Sequence, residues 1–251
     1  MTRHRKALLV TGASRGIGAA TARLAAAHGW RVAVSYVRDE GAARKVVSEI
    51  EEQGGEAFMV RADVASEAEI MGMFEAVDGR FGSLEGLVNN AGVVDVKARV
   101  DEMSVERLER QMRINVIGSI LCAREAVKRM STKHGGHGGA IVNVSSVAAV
   151  LGAANEYVDY AAAKGAIDTF TVGLAREVAE EGVRVNAVRP GVTDTDIHAS
   201  GGQPGRAERV AHMVPMKRPG KAEEIARAIV WLLSDDASYT TGALLDVSGG
   251  R

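Results

Sequence analysis

The chain has 251 residues, 46% hydrophobic and 25% charged, with 31 basic against 32 acidic side chains and a formal net charge of -1. That length suits one large α/β domain with a sizeable core, and the charge balance excludes a nucleic-acid surface, which needs a basic excess to neutralise phosphates. A single cysteine, Cys122, excludes an internal disulfide framework and a multi-cysteine zinc site; the six histidines show no paired ligand spacing, so no metal is expected.

In chain order, short β-rich runs alternate with amphipathic helical stretches. The runs are 7–11, 31–36, 56–61, 87–90, 140–145, 184–189 and 244–247; the helical patterns are 18–28, 42–53, 66–81, 105–130, 157–181 and 222–233. Most runs are continuously apolar, as in Ala140-Ile141-Val142-Asn143-Val144, which suits strands buried on both faces. The β-α-β order predicts an α/β fold: a doubly wound, Rossmann-type sheet of seven parallel strands flanked by helices, in a single domain spanning 1–251. The first apolar run, Ala7-Leu8-Leu9-Val10, is too short for a signal-peptide core or a membrane span, so no membrane association and a cytosolic location are expected.

Two segments break the rhythm. The stretch Ser131 to Gly139, with His134, Gly135, Gly136, His137 and Gly138, reads as a flexible surface connector. The second, 193–220, is too long for an ordinary connection and is a candidate substrate loop or lid; His198, Met213 and Met216 within it carry no decodable signature.

Glycine is abundant, with 29 residues and neither a collagen period nor low complexity, which points to tight turns and close backbone approaches. The sharpest instance is Thr11-Gly12-Ala13-Ser14-Arg15-Gly16-Ile17-Gly18, directly after the first strand and opening the first helix. Glycines there permit a tight turn, free helix N-terminal N–H groups face a pyrophosphate, and Ser14 adds a hydroxyl.

This segment resembles the cofactor motif of the short-chain dehydrogenase/reductase family. Further matches follow in the family's order: Asp63-Val64, Asn89-Asn90-Ala91-Gly92, Asn115, Ser145-Ser146, Tyr160-x-x-x-Lys164, Arg189-Pro190-Gly191 and Asp246-x-Ser248-Gly249-Gly250. The resemblance covers essentially the whole chain. It implies that Asp63 and Val64 contact the adenine, that Asn90, Ala91 and Gly92 form the turn beside the adenosine ribose, and that Pro190, Gly191, Val192, Thr193 and Thr195 meet the nicotinamide. It also implies a homotetramer, with the helices at 105–130 and 157–181 forming one interface.

In such folds an acidic residue ending the second strand accepts hydrogen bonds from the ribose hydroxyls and favours NAD. Here that strand ends Val34-Ser35-Tyr36-Val37-Arg38, with no carboxylate before Asp39. A 2′-phosphate attracts guanidinium, and Arg15 and Arg38 are both within reach, so NADP(H) is favoured over NAD(H).

Tyr160 and Lys164 are four apart and share a helix face. A tyrosine exchanges protons near neutrality only if its anion is stabilised, here by the Lys164 cation and by the oxidised cofactor's ring. Both would also contact the cofactor. Tyr157 has alanine, Ala161, at the same offset and is expected to pack or to line the substrate pocket. Adjacent strand residues face opposite ways, so one hydroxyl of Ser145 and Ser146 enters the site; the resemblance selects Ser146, which orients the carbonyl, although it stands fourteen residues before Tyr160, one more than the family's commonest spacing. The resemblance also gives Asn115 the holding of a relay water, completing a tetrad with Ser146, Tyr160 and Lys164.

The expected function is NADP(H)-dependent interconversion of a carbonyl and a secondary alcohol on a small molecule. One subgroup reduces 3-oxoacyl thioesters on an acyl carrier protein, for which Arg129 and Arg176 are candidate docking cations. The alternatives are a sugar, polyol or steroid dehydrogenase using NAD(H), and a non-catalytic nucleotide-binding regulator on the same fold.

Overall fold

The computed structural model describes residues 5–195 and 201–251. Seven parallel strands form one sheet in the order β3-β2-β1-β4-β5-β6-β9. They are β1 (Ala7–Val10), β2 (Arg31–Tyr36), β3 (Glu56–Arg61), β4 (Gly86–Asn89), β5 (Gly139–Val144), β6 (Val183–Pro190) and β9 (Leu244–Val247). The expected seven-stranded, doubly wound sheet is therefore present, and its strand boundaries shift by a residue at most.

Period-two alternation splits the core between the two faces. Leu8, Val10, Val32, Val34, Val142 and Val188 point to a layer built on α1 (Gly16–Ala27), α2 (Glu40–Glu52) and a helix near the C-terminus. Ala7, Leu9, Leu87, Ile141 and Val185 point to the opposite layer, packed by α3 (Glu67–Phe81) and by Cys122, Ala126, Ala175 and Val178 of two later helices. Between β1 and β4 the direction of strand addition reverses. A crevice therefore opens there beyond the carboxyl ends of the strands, the position at which doubly wound sheets bind ligands.

The helix expected over 105–130 is not continuous. It consists of α4 (Val105–Met112), a π-helical turn (Arg113–Gly118) and α5 (Ser119–Met130). The wide turn places the Asn115 side chain fully inside, where it replaces a regular helical contact by bonds to the backbone of Val93. After β5 come α6 (Ala148–Leu151) and α7 (Val158–Val178).

The segment 193–220 is closed at its base by a two-stranded parallel sheet, β7 (Thr193–Asp194) with β8 (Gly220–Lys221). A short helix, α8 (Arg206–Arg209), lies within it, and Val192, Ala207 and Val214 form a small core of their own. His198 lies outside the described residues. The last helix, α9 (Ala222–Leu233), has the expected boundaries.

The reading of 131–139 as a flexible connector is corrected. Much of its backbone is bonded: Gly136 N–H donates to Ser131, Gly138 N–H to Met130 (2.7 Å) and Gly139 N–H to Gly182. A Cβ on Gly136 would stand 2.3 Å from the Arg129 carbonyl oxygen, and one on Gly138 would stand 2.6 Å from that of Gly182. The glycines mark tight packing between α5 and β5, which composition alone does not distinguish from looseness.

Candidate active site

The glycine loop sits in the crevice between β1 and β4. Gly12 and Gly16 have φ of +62° and +56°, in the left-handed region that a side chain disfavours. Gly18 is needed for a different reason: a Cβ there would stand 2.5 Å from the Asn90 amide nitrogen and 2.6 Å from the Gly12 carbonyl oxygen. Asn90 braces this loop, its Nδ2 donating to the carbonyls of Thr11 and Gly12 at 2.9 Å. The Thr11 hydroxyl in turn accepts from the backbone N–H groups of Asn90 and Ala91, both at 3.0 Å. Asn89 ends β4, and its amide donates to the Ser119 carbonyl and to Asn143, pinning the start of α5 to the sheet.

The start of α1 differs from its neighbours. Helices α2, α3 and α4 are capped by the side chains of Asp39, Ser66 and Ser104, and each has an acidic residue in its first turn. At α1 the capping residue Arg15 makes no side-chain cap bond and the first turn holds no acid. That end offers N–H groups and the positive pole of the helix dipole to an anion, which fits the pyrophosphate of a dinucleotide. Ser14 and Ile17 are half-buried beside it. Thr195 lies over the loop, with its methyl group 3.5 Å from where a Gly16 Cβ would be.

At the adenosine end, Val64 is buried and Asp63 holds its own turn by accepting from Ala65 N–H at 2.9 Å. Beyond β2, Arg38 is exposed, while Asp39 turns its carboxylate back onto the start of α2, accepting from Ala42 N–H at 2.8 Å. Arg61, which the sequence reading passed over, ends β3 directly opposite Tyr36 and donates to the Val37 carbonyl at 3.2 Å. Its signal was its place as the last residue of the neighbouring strand, legible only once strand register is known.

Ser146, Tyr160 and Lys164 converge. Ser145 points into the protein, is buried, and donates to the Lys164 carbonyl at 3.2 Å. Ser146 accepts from Ala148 N–H at 3.1 Å and lies beside Tyr160, where its hydroxyl favours the phenolate. Geometry thus separates the two serines that adjacency left paired. Lys164 is buried; its ammonium donates to the Val144 carbonyl at 2.7 Å and lies 5.5 Å from the centre of the Tyr160 ring. Gly92 is adjacent: a Cβ there would meet the Asn115 Oδ1 at 2.8 Å and the Lys164 ammonium at 3.6 Å. Asn115 is therefore next to Lys164, although its amide is taken up by the Val93 backbone and Gln111.

In the cofactor-free chain, burial pushes the Tyr160 phenol up to about 12, against a smaller lowering by Ser146. The ammonium faces the ring, and no hydrogen bond joins it to the hydroxyl among the described residues. Burial also pulls Lys164 down to about 8, partly offset by the nearby Asp168 carboxylate. In this state the Tyr160 phenol holds its proton across the neutral range.

Beyond Pro190, Gly191 packs against Ser248, with a Cβ position 2.7 Å from the Ser248 Cα; its size serves that contact. The Val192 carbonyl accepts from Gly220 N–H, and the Thr193 hydroxyl donates to the Gly191 carbonyl. Tyr157 is buried under the 193–220 segment, its hydroxyl bonded by Gln203 and its ring covered by Arg206, which pairs with Glu156 at 2.5 Å. The start of α7 is held by Arg107, which bonds both oxygens of Asp159 at 2.7 and 3.2 Å with the two side chains 9% and 2% exposed. Replacing Arg107 with methionine leaves that carboxylate buried and unpaired. The expected cost is about 3–5 kcal/mol in chemical denaturation, largely recovered by adding Asp159→Leu.

Arg129 and Arg176 lie in the last turns of α5 and α7, at the opposite end of the sheet from the crevice. Along α7, Arg176 is about 24 Å from Tyr160, and Arg129 is engaged by Asp78 and Glu125. They do not flank the site a carrier would have to serve. Among the described residues there is no His, Cys, Asp and Glu cluster able to hold a metal, and no helix long and apolar enough to cross a membrane.

A Rossmann-type sheet with an open helix N-terminus at its switch point and a serine, tyrosine and lysine beside it defines the class of dinucleotide-dependent oxidoreductases. The family model described as enoyl-(acyl carrier protein) reductase matches residues 12–251. The chain is 56% identical to the uncharacterized oxidoreductase YgfF of Escherichia coli (strain K12), over 97% of this chain and 98% of that protein. It is 38% identical to the 3beta-hydroxysteroid dehydrogenase 1 of Eggerthella lenta, over 98% and 93%. Among solved structures, a short chain dehydrogenase from Burkholderia cenocepacia J2315 in complex with NADP superposes with a TM-score of 0.90 at 32% identity, covering 99% of each chain. The chain belongs to the short-chain dehydrogenase/reductase family and is an oxidoreductase acting on CH–OH groups. Members of this family bind NAD(P).

Proposed function

We propose that the chain is an NADP(H)-preferring enzyme that reduces a ketone to a secondary alcohol, and the reverse. The observation that carries this is the convergence of Ser146, Tyr160 and Lys164 beside the uncapped start of α1. The cofactor supplies the hydride. Ser146 holds the carbonyl oxygen, Tyr160 gives it a proton, and Lys164 orients the nicotinamide ribose. Asn115 backs Lys164 as the fourth member. Gly12, Ser14, Arg15, Gly16, Ile17 and Gly18 cradle the phosphates; Asp63, Val64, Asn90, Ala91 and Gly92 flank the adenosine, and Pro190, Gly191, Val192, Thr193 and Thr195 flank the nicotinamide. Arg38 serves the 2′-phosphate with Arg61 alongside, and the engagement of Asp39 as a helix cap favours NADP(H) over NAD(H). The chain acts as one domain, with 193–220 covering the substrate.

For the substrate, α6 begins two residues after Ser146 and exposes Val150 and Leu151 (62% and 50%), which supports a ketone with apolar substituents over a polyhydroxylated sugar. A 3-oxoacyl thioester shares that character, but no carrier-docking cations support it at Arg129 or Arg176. Val105, Leu108, Met112 and Ile117 are exposed on one side of α4 and the π-helical turn, which supports a homotetramer through this face. Phe170 and Leu174 instead pack partly into the core. A cytosolic setting fits the buried Cys122, whose thiol is pushed up to about 12 and is inert. The test is NADPH and NADH oxidation over a panel of alicyclic ketones, 3-oxoacyl thioesters and aldoses. NADPH-dependent turnover of the apolar ketones is expected; turnover confined to aldoses with NADH would overturn the reading.

A further inference from the structure

One buried charge pair has no part in the reaction described above. Asp168 is one helical turn beyond Lys164 on the same face of α7, and it is 6% exposed. Its Oδ2 accepts from Arg189 at the end of β6, with both Nε and Nη2 at 2.9 Å. Its Oδ1 is buried and has no hydrogen-bond partner among the described residues. Arg189 also approaches Asp246 of β9 at 3.6 Å. Charges of alternating sign therefore run from Lys164 through Asp168 and Arg189 to Asp246.

A buried carboxylate oxygen without a donor is costly unless a cation answers it through space. Arg189 answers one oxygen directly; Lys164, one turn back on the same helix face, is buried within the carboxylate's field, and its ammonium uses one of three donors on Val144. Other charged groups near α7 are committed elsewhere or face solvent. Arg107 and Asp159 close on each other at the helix start, Glu125 of α5 is taken by Lys128 and Arg129, and Arg113 of the π-helical turn is exposed. Tyr160, the remaining titratable neighbour, is uncharged. Ser145, Ser146 and Asn115 complete the surroundings without charge.

We propose that Asp168 is a positioning residue for the proposed reaction, the counter-ion that keeps the buried Lys164 ammonium charged, and that Arg189 tempers its strength by drawing off half of its carboxylate. This rests on the assignment of Lys164 to the active site, but the electrostatic relation holds whether or not Lys164 assists turnover. The signs follow directly. Removing the Asp168 charge favours the neutral amine and lowers the pH at which Lys164 loses its proton. Removing Arg189 frees the carboxylate to act on Lys164 alone and raises that pH. A merely structural pair would leave the Lys164 titration in place whichever partner is lost.

The test uses the full-length, cofactor-free chain labelled with [13Cε]lysine and titrated by NMR, with the Lys164 resonance assigned by its absence in Lys164→Arg. In Asp168→Asn the midpoint is expected to fall by about one pH unit or more, and in Arg189→Met to rise; Asp168→Glu restores the original direction of the field. An unchanged midpoint in a folded Asp168→Asn overturns the proposal. If that variant does not fold, Arg189→Met decides alone, an upward shift supporting the proposal and an unchanged midpoint overturning it. The high-pH fall in kcat/KM for ketone reduction should move in the same directions. Movement of the resonance without movement of that limb supports the counter-ion role and overturns the catalytic reading of Lys164, so the two failures are distinguishable.

Discussion

Replacing Tyr160 with phenylalanine is expected to lower kcat for ketone reduction by about 10²–10⁴-fold, the range removed with a general acid. NADPH affinity and thermal stability should stay near their original values. Among the described residues no hydrogen bond to the Tyr160 hydroxyl would be broken, and Ser146 keeps its bond from Ala148 N–H when the phenol is gone. No buried donor is therefore left orphaned, and the ring still fills its place beside Lys164. Single-turnover rates with equilibrium binding of NADPH separate the two effects. Retained turnover would remove Tyr160 as the acid. The phenol's position near 12 favours this role in the reductive direction, since the proton is present throughout the neutral range. Running the reaction as an oxidation requires the phenolate, and the positive ring of an oxidised cofactor stabilises it.

Arg38→Ala is expected to weaken NADPH binding about tenfold or more while leaving NADH binding unchanged. The loss is that of one charge-assisted hydrogen bond, about 1.5–3 kcal/mol. Arg38 is exposed in the cofactor-free chain and Asp39 is engaged as the cap of α2, so Asp39 does not pair with the guanidinium. Equal weakening of both cofactors would place the 2′-phosphate elsewhere. A residual preference for NADPH in Arg38→Ala, abolished on adding Arg61→Ala, would show that the two share it.

Asp39 illustrates why this preference is hard to read from sequence. As a residue type near the end of a strand it argues for NAD(H), yet the first N–H groups of α2 engage its carboxylate. Whether a helix start or a ribose takes that side chain depends on where the strand stops and the helix begins. Arg129 is a second case: its charge suits an acidic partner, and only the fold shows that helices run antiparallel to the strands, so residues late in α5 and α7 sit at the far end from the crevice.

Local chemistry determined the alternation of strands and helices, the glycine turn at the start of α1 and the four-residue spacing of Tyr160 and Lys164, because each depends on periodicity and backbone sterics within a few residues. Tertiary structure alone decided four things: that Ser146 and not Ser145 lies beside Tyr160, that Asn115 turns inward on a π-helical turn, that Gly136, Gly138 and Gly139 are closely packed, and that Asp168 pairs with Arg189 one turn beyond Lys164. The reason is common to all four. Each depends on which atom of a distant segment fills the space beside a side chain, and burial then sets whether a charge, a hydroxyl or a missing Cβ at that point is tolerated.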